Sequence, residues 1–290
     1  MHSSVNGIYF ALVSERYTAA MPNASRPLLL VEHLGFAYGS RPILSELTFS
    51  LQQGEVLAVM GGSGVGKTTI LRLLTGLLRP TTGKVRVLGT DLSQTDQSGL
   101  YAVRRRMGLL FQFGALLTDL TCFENVAFPL REHLRLPESM LRDLVFLKLE
   151  AVGLRGAADL YPSEISGGMA RRVALARAIA LDPEIILYDE PFAGLDPISL
   201  GVTARLIRVL NDALGAGSIV VTHDVAESFA IADRVAVLAP SPAGAVLVAH
   251  GTPDQMRESQ DAYVRQFLGG HEVGPVAFHM PAPPLQEAFR

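Results

Sequence analysis

The stretch Gly61-Gly62-Ser63-Gly64-Val65-Gly66-Lys67-Thr68 most constrains what this chain can fold into. It follows the apolar run Val56-Leu57-Ala58-Val59-Met60, which reads as a buried strand, and precedes Thr69-Ile70-Leu71-Arg72-Leu73-Leu74, which has helical periodicity. A strand, a Gly-rich loop and a helix in that order form a cradle for phosphate. The glycines let successive backbone N–H groups turn inward, the helix N-terminus adds partial positive charge, and Lys67 adds a full one. Gly61 through Thr69 are therefore candidate nucleotide-binding residues, and the Thr68 hydroxyl is a candidate ligand of magnesium. The spacing meets G-x-x-x-x-G-K-[ST] at every specified position, so a nucleoside triphosphate is the expected ligand.

The 290 residues are 49% apolar, enough for one large or two small domains with a substantial core. Lys and Arg number 25 against 28 Asp and Glu, so no global basic field recruits nucleic acid. One cysteine, Cys122, excludes an internal disulfide and a multi-Cys metal site, which suits a reducing compartment. No window supplies about 18 uncharged apolar residues, so a membrane span is not expected. The mean hydropathy of +0.29 points to apolar surface kept for partners. Residues 1–27 lack the basic and apolar regions of a signal peptide and are expected to be a loose extension, with Met21 a second candidate start.

Leu28 to Val31 and Ile43 to Leu51 read as strands, with Phe36 to Pro42 between them as a turn. Arg79-Pro80 and Gly83 are expected to stop the helix after the phosphate loop, and Lys84 to Gly89 alternates as a strand. A turn-rich segment from Asp91 to Gly99 leads to Arg104-Arg105-Arg106, read as a solvated face, and then to a strand from Met107 to Phe111 ending at Gln112. Cys122 to Leu154 is helical in pattern, with Pro129, Pro137 and Gly153 as breakers. A helical subdomain at about 113–181, inserted into an α/β core, is the expectation. Later strands and helices alternate: Ile185 to Tyr188, Ile198 to Leu214, Ser218 to Val221, Val225 to Ile231, Val235 to Leu238. That alternation implies a mostly parallel sheet with helices on both faces. Residues 28–268 are taken as one domain, and the Pro-rich tail 269–290 is expected to stay loose or lie on a partner.

A second constellation narrows the chemistry. Ile185-Ile186-Leu187-Tyr188 delivers Asp189 and Glu190 to the carboxyl edge of the sheet, where ligands bind in open α/β folds. Asp189 is placed to hold magnesium, and Glu190 to polarise a water toward the γ-phosphate. Ser166 is positioned to cap a helix whose first turn is Gly167-Gly168-Met169, another N-terminus that can face an anion.

Pro162 to Ala178, with Ser166-Gly167-Gly168 at its centre, resembles the signature motif and helix of ATP-binding cassette (ABC) ATPases. The resemblance implies a P-loop NTPase of ABC type, with an antiparallel β subdomain beside the parallel core. Gln112 matches the Q-loop glutamine that reaches toward magnesium, and His223 the H-loop histidine that contacts the γ-phosphate. Asp196, in Ala193-Gly194-Leu195-Asp196, matches the D-loop that crosses the dimer, and Tyr38 the A-loop aromatic that stacks on adenine. Three features resemble the ATPase subunit of Mla-type phospholipid transporters: Met169-Ala170-Arg171-Arg172 where the family usually has glutamine first, the continuation Phe192 to Ile198, and Arg265 to Gly270 leading into Gly274 to Phe278. Leu149 to Ala158 also fits, and the resemblance covers roughly Leu28 to Pro281.

One chain carries one phosphate loop and one signature helix, so a head-to-tail homodimer with two composite sites is expected, in which Ser166, Gly167, Gly168, Met169 and Asp196 face the partner's ATP. By resemblance the further partners are a membrane permease, an MCE-type substrate-binding protein and a small STAS-domain protein, and the location is the cytoplasmic face of the inner membrane. Phe113, Leu116, Leu117 and Phe123 are the candidate docking residues, with a core role as the competing assignment. Another ABC importer would share the catalytic residues but lack the Mla-like features. A non-transport ABC protein would carry two cassettes or a basic surface, and a small-molecule kinase would leave Ser166-Gly167-Gly168 unexplained.

Overall fold

The computed structural model describes residues 26–275. Residues 1–25 and 276–290, with Met21 and most of the Pro-rich tail, lie outside them. Two sheets organise the chain. Strands β1 (Leu29–Tyr38), β2 (Arg41–Leu51), β4 (Thr82–Val87) and β5 (Thr90–Asp91) make an antiparallel sheet in the order β2-β1-β4-β5. The larger sheet has the order β10-β9-β3-β8-β7-β6, built from β3 (Val56–Gly61), β6 (Met107–Leu110), β7 (Ile185–Asp189), β8 (Gly217–Thr222), β9 (Arg234–Ala239) and β10 (Val246–Gly251). All its pairings are parallel except that of the edge strand β10.

The central strands β3, β7 and β8 are buried at every residue, as strands covered on both faces must be. Their alternation sorts side chains between layers. Ile185 and Leu187 point into a core shared with the antiparallel sheet, while Ile186 and Tyr188 point into a core shared with helices. Each fully buried aliphatic side chain contributes about 1.5–3 kcal/mol, so the two faces hold the sheet firmly between layers.

Helices α1 (Lys67–Leu74) and α2 (Gln97–Arg104) precede β6. Between β6 and β7 lie only helices: α3 (Cys122–His133), α4 (Glu138–Ala151), short 3-10 turns at Arg155–Ala157 and Pro162–Glu164, and α5 (Gly167–Ala178). Their core of Val126, Leu130, Val145, Leu149 and Val173 is continuous with the helix-covered face of the large sheet. Helices α6 (Pro197–Leu214), α7 (Val225–Ile231), α8 (Pro253–Arg257) and α9 (Ala262–Gly269) follow β7.

Several local expectations fail for identifiable reasons. The turn between β1 and β2 narrows to Gly39-Ser40, because Tyr38 and Ala37 still pair with Arg41 and Pro42. α1 stops at Leu74, well before Arg79-Pro80: Leu77 N–H bonds to Arg72 O at 2.8 Å and Gly76 N–H to Leu73 O at 3.0 Å, with Gly76 at φ +67. That is a Schellman stop, which needs a residue at positive φ rather than a proline. Pro129 does not break α3, which runs through it to His133. Val126, Ala127 and Leu130 are buried around it, and the Thr121–Glu124 capping box secures the start, so packing outweighs the missing N–H. The arginine run does face solvent at Arg105 and Arg106, as expected, but its side chains are tethered: Arg106 makes a two-bond fork to Glu184 at 2.5 and 2.8 Å, Arg104 donates to Thr75 O, and Arg105 to His133 O.

Candidate functional site

β3 ends in Gly61, and the chain then loops through Gly62-Ser63-Gly64-Val65 before α1 begins at Lys67. Gly66, at the N-terminal cap of α1, has φ +103 and supplies no side-chain cap. A Cβ there would meet Leu44 Cδ2 at 2.9 Å and Ile43 Cγ2 at 3.0 Å, so glycine is required by conformation and by space. The uncapped first turn leaves amide donors and the positive end of the helix dipole facing the loop, as an anion site needs.

Lys67, only 7% exposed, donates to Gly61 O at 2.8 Å and Gly62 O at 3.1 Å. Its Nζ also lies 3.3 Å from Glu190 Oε1. The charge that a phosphate would claim is thus held by loop carbonyls and by a carboxylate from the neighbouring strand. Glu190 sits just beyond β7, 8% exposed and at φ +46. A non-glycine residue in that conformation costs about 1–3 kcal/mol and persists only where its surroundings over-determine it. They do: Glu190 N–H bonds to Val221 O at 2.8 Å, and Oε2 lies 3.0 Å from His223 Nδ1 and accepts from His223 N–H at 3.3 Å. β8 is therefore the element that aims Glu190, because it carries Val221 and delivers His223 just past its end.

Thr68 Oγ1 donates to Asp189 Oδ1 at 3.2 Å. Burial pushes the Asp189 carboxyl above its ordinary range, and the Thr68 hydroxyl works against that shift. A buried carboxylate bonded to a hydroxyl, with Gln112 lining the same cavity, is a hard oxygen donor set, and a divalent cation would relieve the burial penalty on Asp189. Ser63, Gly64, Gly66, Lys67, Thr68, Thr69, Gln112, Glu190 and His223 line one cavity of about 500 Å³. Glu190 and His223 of that lining, with the adjacent Asp224, also place ligand atoms within 4.8 Å of one another.

The remaining candidates do not line that cavity. Tyr38 is exposed and set edge-on to Phe36, with ring centroids 4.8 Å apart. Ser166 is exposed and caps α5, its Oγ accepting from Met169 N–H at 3.2 Å. Gly167 and Gly168 form the first turn, and Met169 packs partly against the helical core. Asp196 caps α6, accepting from Ile198 and Ser199 N–H at 3.0 Å each, and the bonds from Ser199 hold its carboxyl below the usual range. The four docking candidates divide: Phe113, 84% exposed, and Leu117 are open to solvent, whereas Leu116 and Phe123 pack on the core.

Two contributors escaped sequence reasoning. Arg171, 5% exposed on α5, donates to the carbonyls of Gln112, Ala193 and Glu190. Only its place in Met169-Ala170-Arg171-Arg172 distinguished it, and composition around it reads as an ordinary charged helix. Tyr263, on the unforeseen helix α9, reaches the phosphate loop through a backbone hydrogen bond at Gly62, while burial pushes its phenol up.

Comparison with known proteins agrees with this geometry. A family model described as ABC transporter matches residues 44–193. The chain is 53% identical over 255 residues, 88% of its length and 95% of the relative's, to the intermembrane phospholipid transport system ATP-binding protein MlaF of Haemophilus influenzae. It is 50% identical over 255 residues, 88% of this chain and 93% of the relative, to MlaF of Escherichia coli K12. Among solved structures, cbiO1 of Clostridium perfringens, described as part of an ABC transporter complex, superposes with a TM-score of 0.73 at 27% identity, covering 81% of this chain and 92% of that one. A dimeric post-hydrolysis ATP-binding cassette bound to ADP and Pi gives 0.69 at 29% identity over 78% and 98%. Phosphate loop, paired carboxylates, signature helix and these relatives together establish that the chain belongs to the ABC transporter family, as an ATP-binding, ATP-hydrolysing cassette.

Proposed function

We propose that this chain powers phospholipid transport between inner and outer membranes, working as a homodimer on the cytoplasmic face of the inner membrane. Permease subunits would hold it there, with an MCE-type substrate-binding protein and a small STAS-domain protein as further partners. The observation that carries the composite-site part is the makeup of the 500 Å³ cavity, which gathers the phosphate loop, Gln112, Glu190 and His223 but none of Ser166, Gly167 or Gly168. A second copy must supply those last three. The lipid assignment is supported by the two relatives named for intermembrane phospholipid transport. Among the described residues no helix is long and apolar enough to cross a membrane. The exposed Phe113, Phe111 and Leu77 border a second cavity of about 340 Å³ beside Gln112, the surface offered to a permease.

In the proposed mechanism, the triphosphate displaces the Gly61 and Gly62 carbonyls and Glu190 from Lys67, which then binds phosphate oxygens together with the amides from Gly64 to Thr69. Thr68, Gln112 and Asp189 are the residues that would hold Mg²⁺, which when bound neutralises charge on the phosphates. Glu190, released from Lys67 and steadied by His223, accepts the proton of the attacking water as its oxygen bonds to the γ-phosphorus. The bond to the β-bridging oxygen breaks and ADP leaves. Residues 269–290 are proposed to lie on the opposed copy or the small partner, so that deleting them weakens assembly and spares nucleotide binding.

A reconstitution tests the substrate. The full chain, co-expressed with its membrane partners and placed in phospholipid nanodiscs, should show ATP hydrolysis coupled to lipid transfer. The competing solute-importer reading has its own support, since the chain is 41% identical over 246 residues to a probable ribonucleotide transport ATP-binding protein of Mycobacterium leprae. Stimulation by nucleotides, with no lipid transfer, would favour it.

A further inference from the structure

α5 starts at the signature serine and carries one buried cation, Arg171, one turn further along. Its Nη1 donates to Gln112 O with a very short contact, and to Glu190 O at 3.4 Å, with Phe111 O at 3.5 Å beside them. Its Nη2 donates to Ala193 O at 3.0 Å. Burial alone pulls its pKa below the ordinary guanidinium value, with no carboxylate opposing the shift. A guanidinium remains charged there and presents donors in a rigid planar fork. All of the partners are backbone carbonyls, and they belong to two segments far apart in the chain: the loop after β6 that carries Gln112, and the connection from β7 to α6 that runs from the left-handed residue Glu190 through Ala193 to Asp196. Of the neighbouring arginines, Arg172 goes elsewhere, to Val152 O, and Arg177 holds the loop after β6 two residues further on, at Gly114 O, without reaching Glu190 or Ala193.

We propose that Arg171 is a positioning residue that ties the start of the signature helix to the backbones of Gln112, Glu190 and Ala193, so that the half-site offered to a partner's ATP and the catalytic carboxylate of the same chain move as one body. A core arginine that only filled space would have no reason to spend its donors on the two loops that line or border the ATP site. In a two-site dimer the link runs between sites, because Ser166 of a chain serves one ATP while Glu190 of that chain serves the other. The inference rests on ATP hydrolysis and the composite dimer, and is independent of the transported substrate.

The test uses the full chain with ATP and Mg²⁺, comparing Arg171→Met, which keeps the length and loses the charge, with Arg171→Lys, which keeps the charge and loses the fork. Both should lower kcat, Arg171→Met by about tenfold, because small displacements of catalytic groups are costly, while nucleotide affinity measured by direct titration changes less than about twofold. Arg171→Met combined with Gln112→Ala should be no slower than Gln112→Ala by more than about twofold, as expected of residues acting as a unit. A normal kcat in Arg171→Lys, an equal loss of nucleotide affinity, or multiplicative losses in the double variant would each overturn the proposal. If Arg171→Met does not fold, Arg171→Lys and its Gln112→Ala combination decide the matter alone.

Discussion

At the scale of single residues, Lys67 and Glu190 hold each other at 3.3 Å, which makes the Glu190 carboxylate a competitor of an incoming phosphate for Lys67. Glu190→Gln removes the charge that competes for Lys67 and, in the proposed mechanism, the base that takes the water's proton. Nucleotide affinity should therefore be kept or raised, while hydrolysis falls by about 10²- to 10⁴-fold, as loss of a general base does. Equilibrium binding and single-turnover phosphate release measure the two separately. His250 gives a pH signature of a different kind. Burial, and then Arg234, hold its pKa below the ordinary 6.5, and Arg234 Nη2, 2.7 Å from Nε2 and 3.1 Å from Nδ1, donates to the one ring nitrogen that carries no proton, which requires the neutral ring. Above 6.5 folded and unfolded chains are both neutral there, so nothing changes. As pH falls below that value the unfolded chain takes up a proton the folded one refuses, and stability declines toward the folded pKa. His250→Gln should flatten part of the fall in Tm between about pH 7.5 and 5.5. An identical pH profile in the variant would refute this role for His250.

At the scale of elements, most strands were legible because their residues repeat a simple pattern, and the phosphate loop because its glycines answer to a local backbone demand. α3 shows where such legibility stops. Pro129 is a strong local signal to end a helix, yet packing around Val126 and Leu130 carries α3 past it. The Thr121–Glu124 box fixes where that helix begins, with Glu124 N–H donating to Thr121 Oγ1 at 3.2 Å and Thr121 N–H to Glu124 Oε2 at 3.1 Å. Thr121→Ala should cost about 1 kcal/mol, read by calorimetry as a Tm lower by about 2–4 °C for a chain this long. Gly66→Ala forces a side chain into a left-handed position already crowded by Leu44, so nucleotide binding should be lost while the sheets persist in circular dichroism. α2, α8, α9 and β10 went unread because each is short or at an edge, with too few residues to set up a period.

At the scale of the whole molecule, Ser166 lies outside the cavity lined by Lys67 and Glu190, and the proposed composite site makes the prediction one about pairs of chains. A Lys67→Ala chain and a Ser166→Arg chain should each be inactive alone. Mixed, they form dimers in which one site carries both lesions and the other carries none. With random association about half the dimers are mixed and one site in two is intact, so activity should return to about a quarter of wild type. No recovery on mixing, with dimers formed, would argue that each chain completes its own site. Light scattering of Glu190→Gln with ATP supplies the companion measurement, an ATP-dependent doubling of mass.

The sequence alone determined the ligand class and the succession of the main strands along the chain, because the strands repeat a simple pattern and the phosphate loop, Asp189-Glu190 and Ser166-Gly167-Gly168 are contiguous motifs whose chemistry follows from residue type and spacing. Tertiary structure decided the rest. That Lys67 rests on Glu190, that Val221 and His223 aim that carboxylate, and that Arg171 joins two loops all depend on residues from strands and helices far apart in the chain. No local pattern encodes such meetings. They exist because a parallel sheet brings the ends of its strands to one edge, and only there do the loops come within hydrogen-bonding reach.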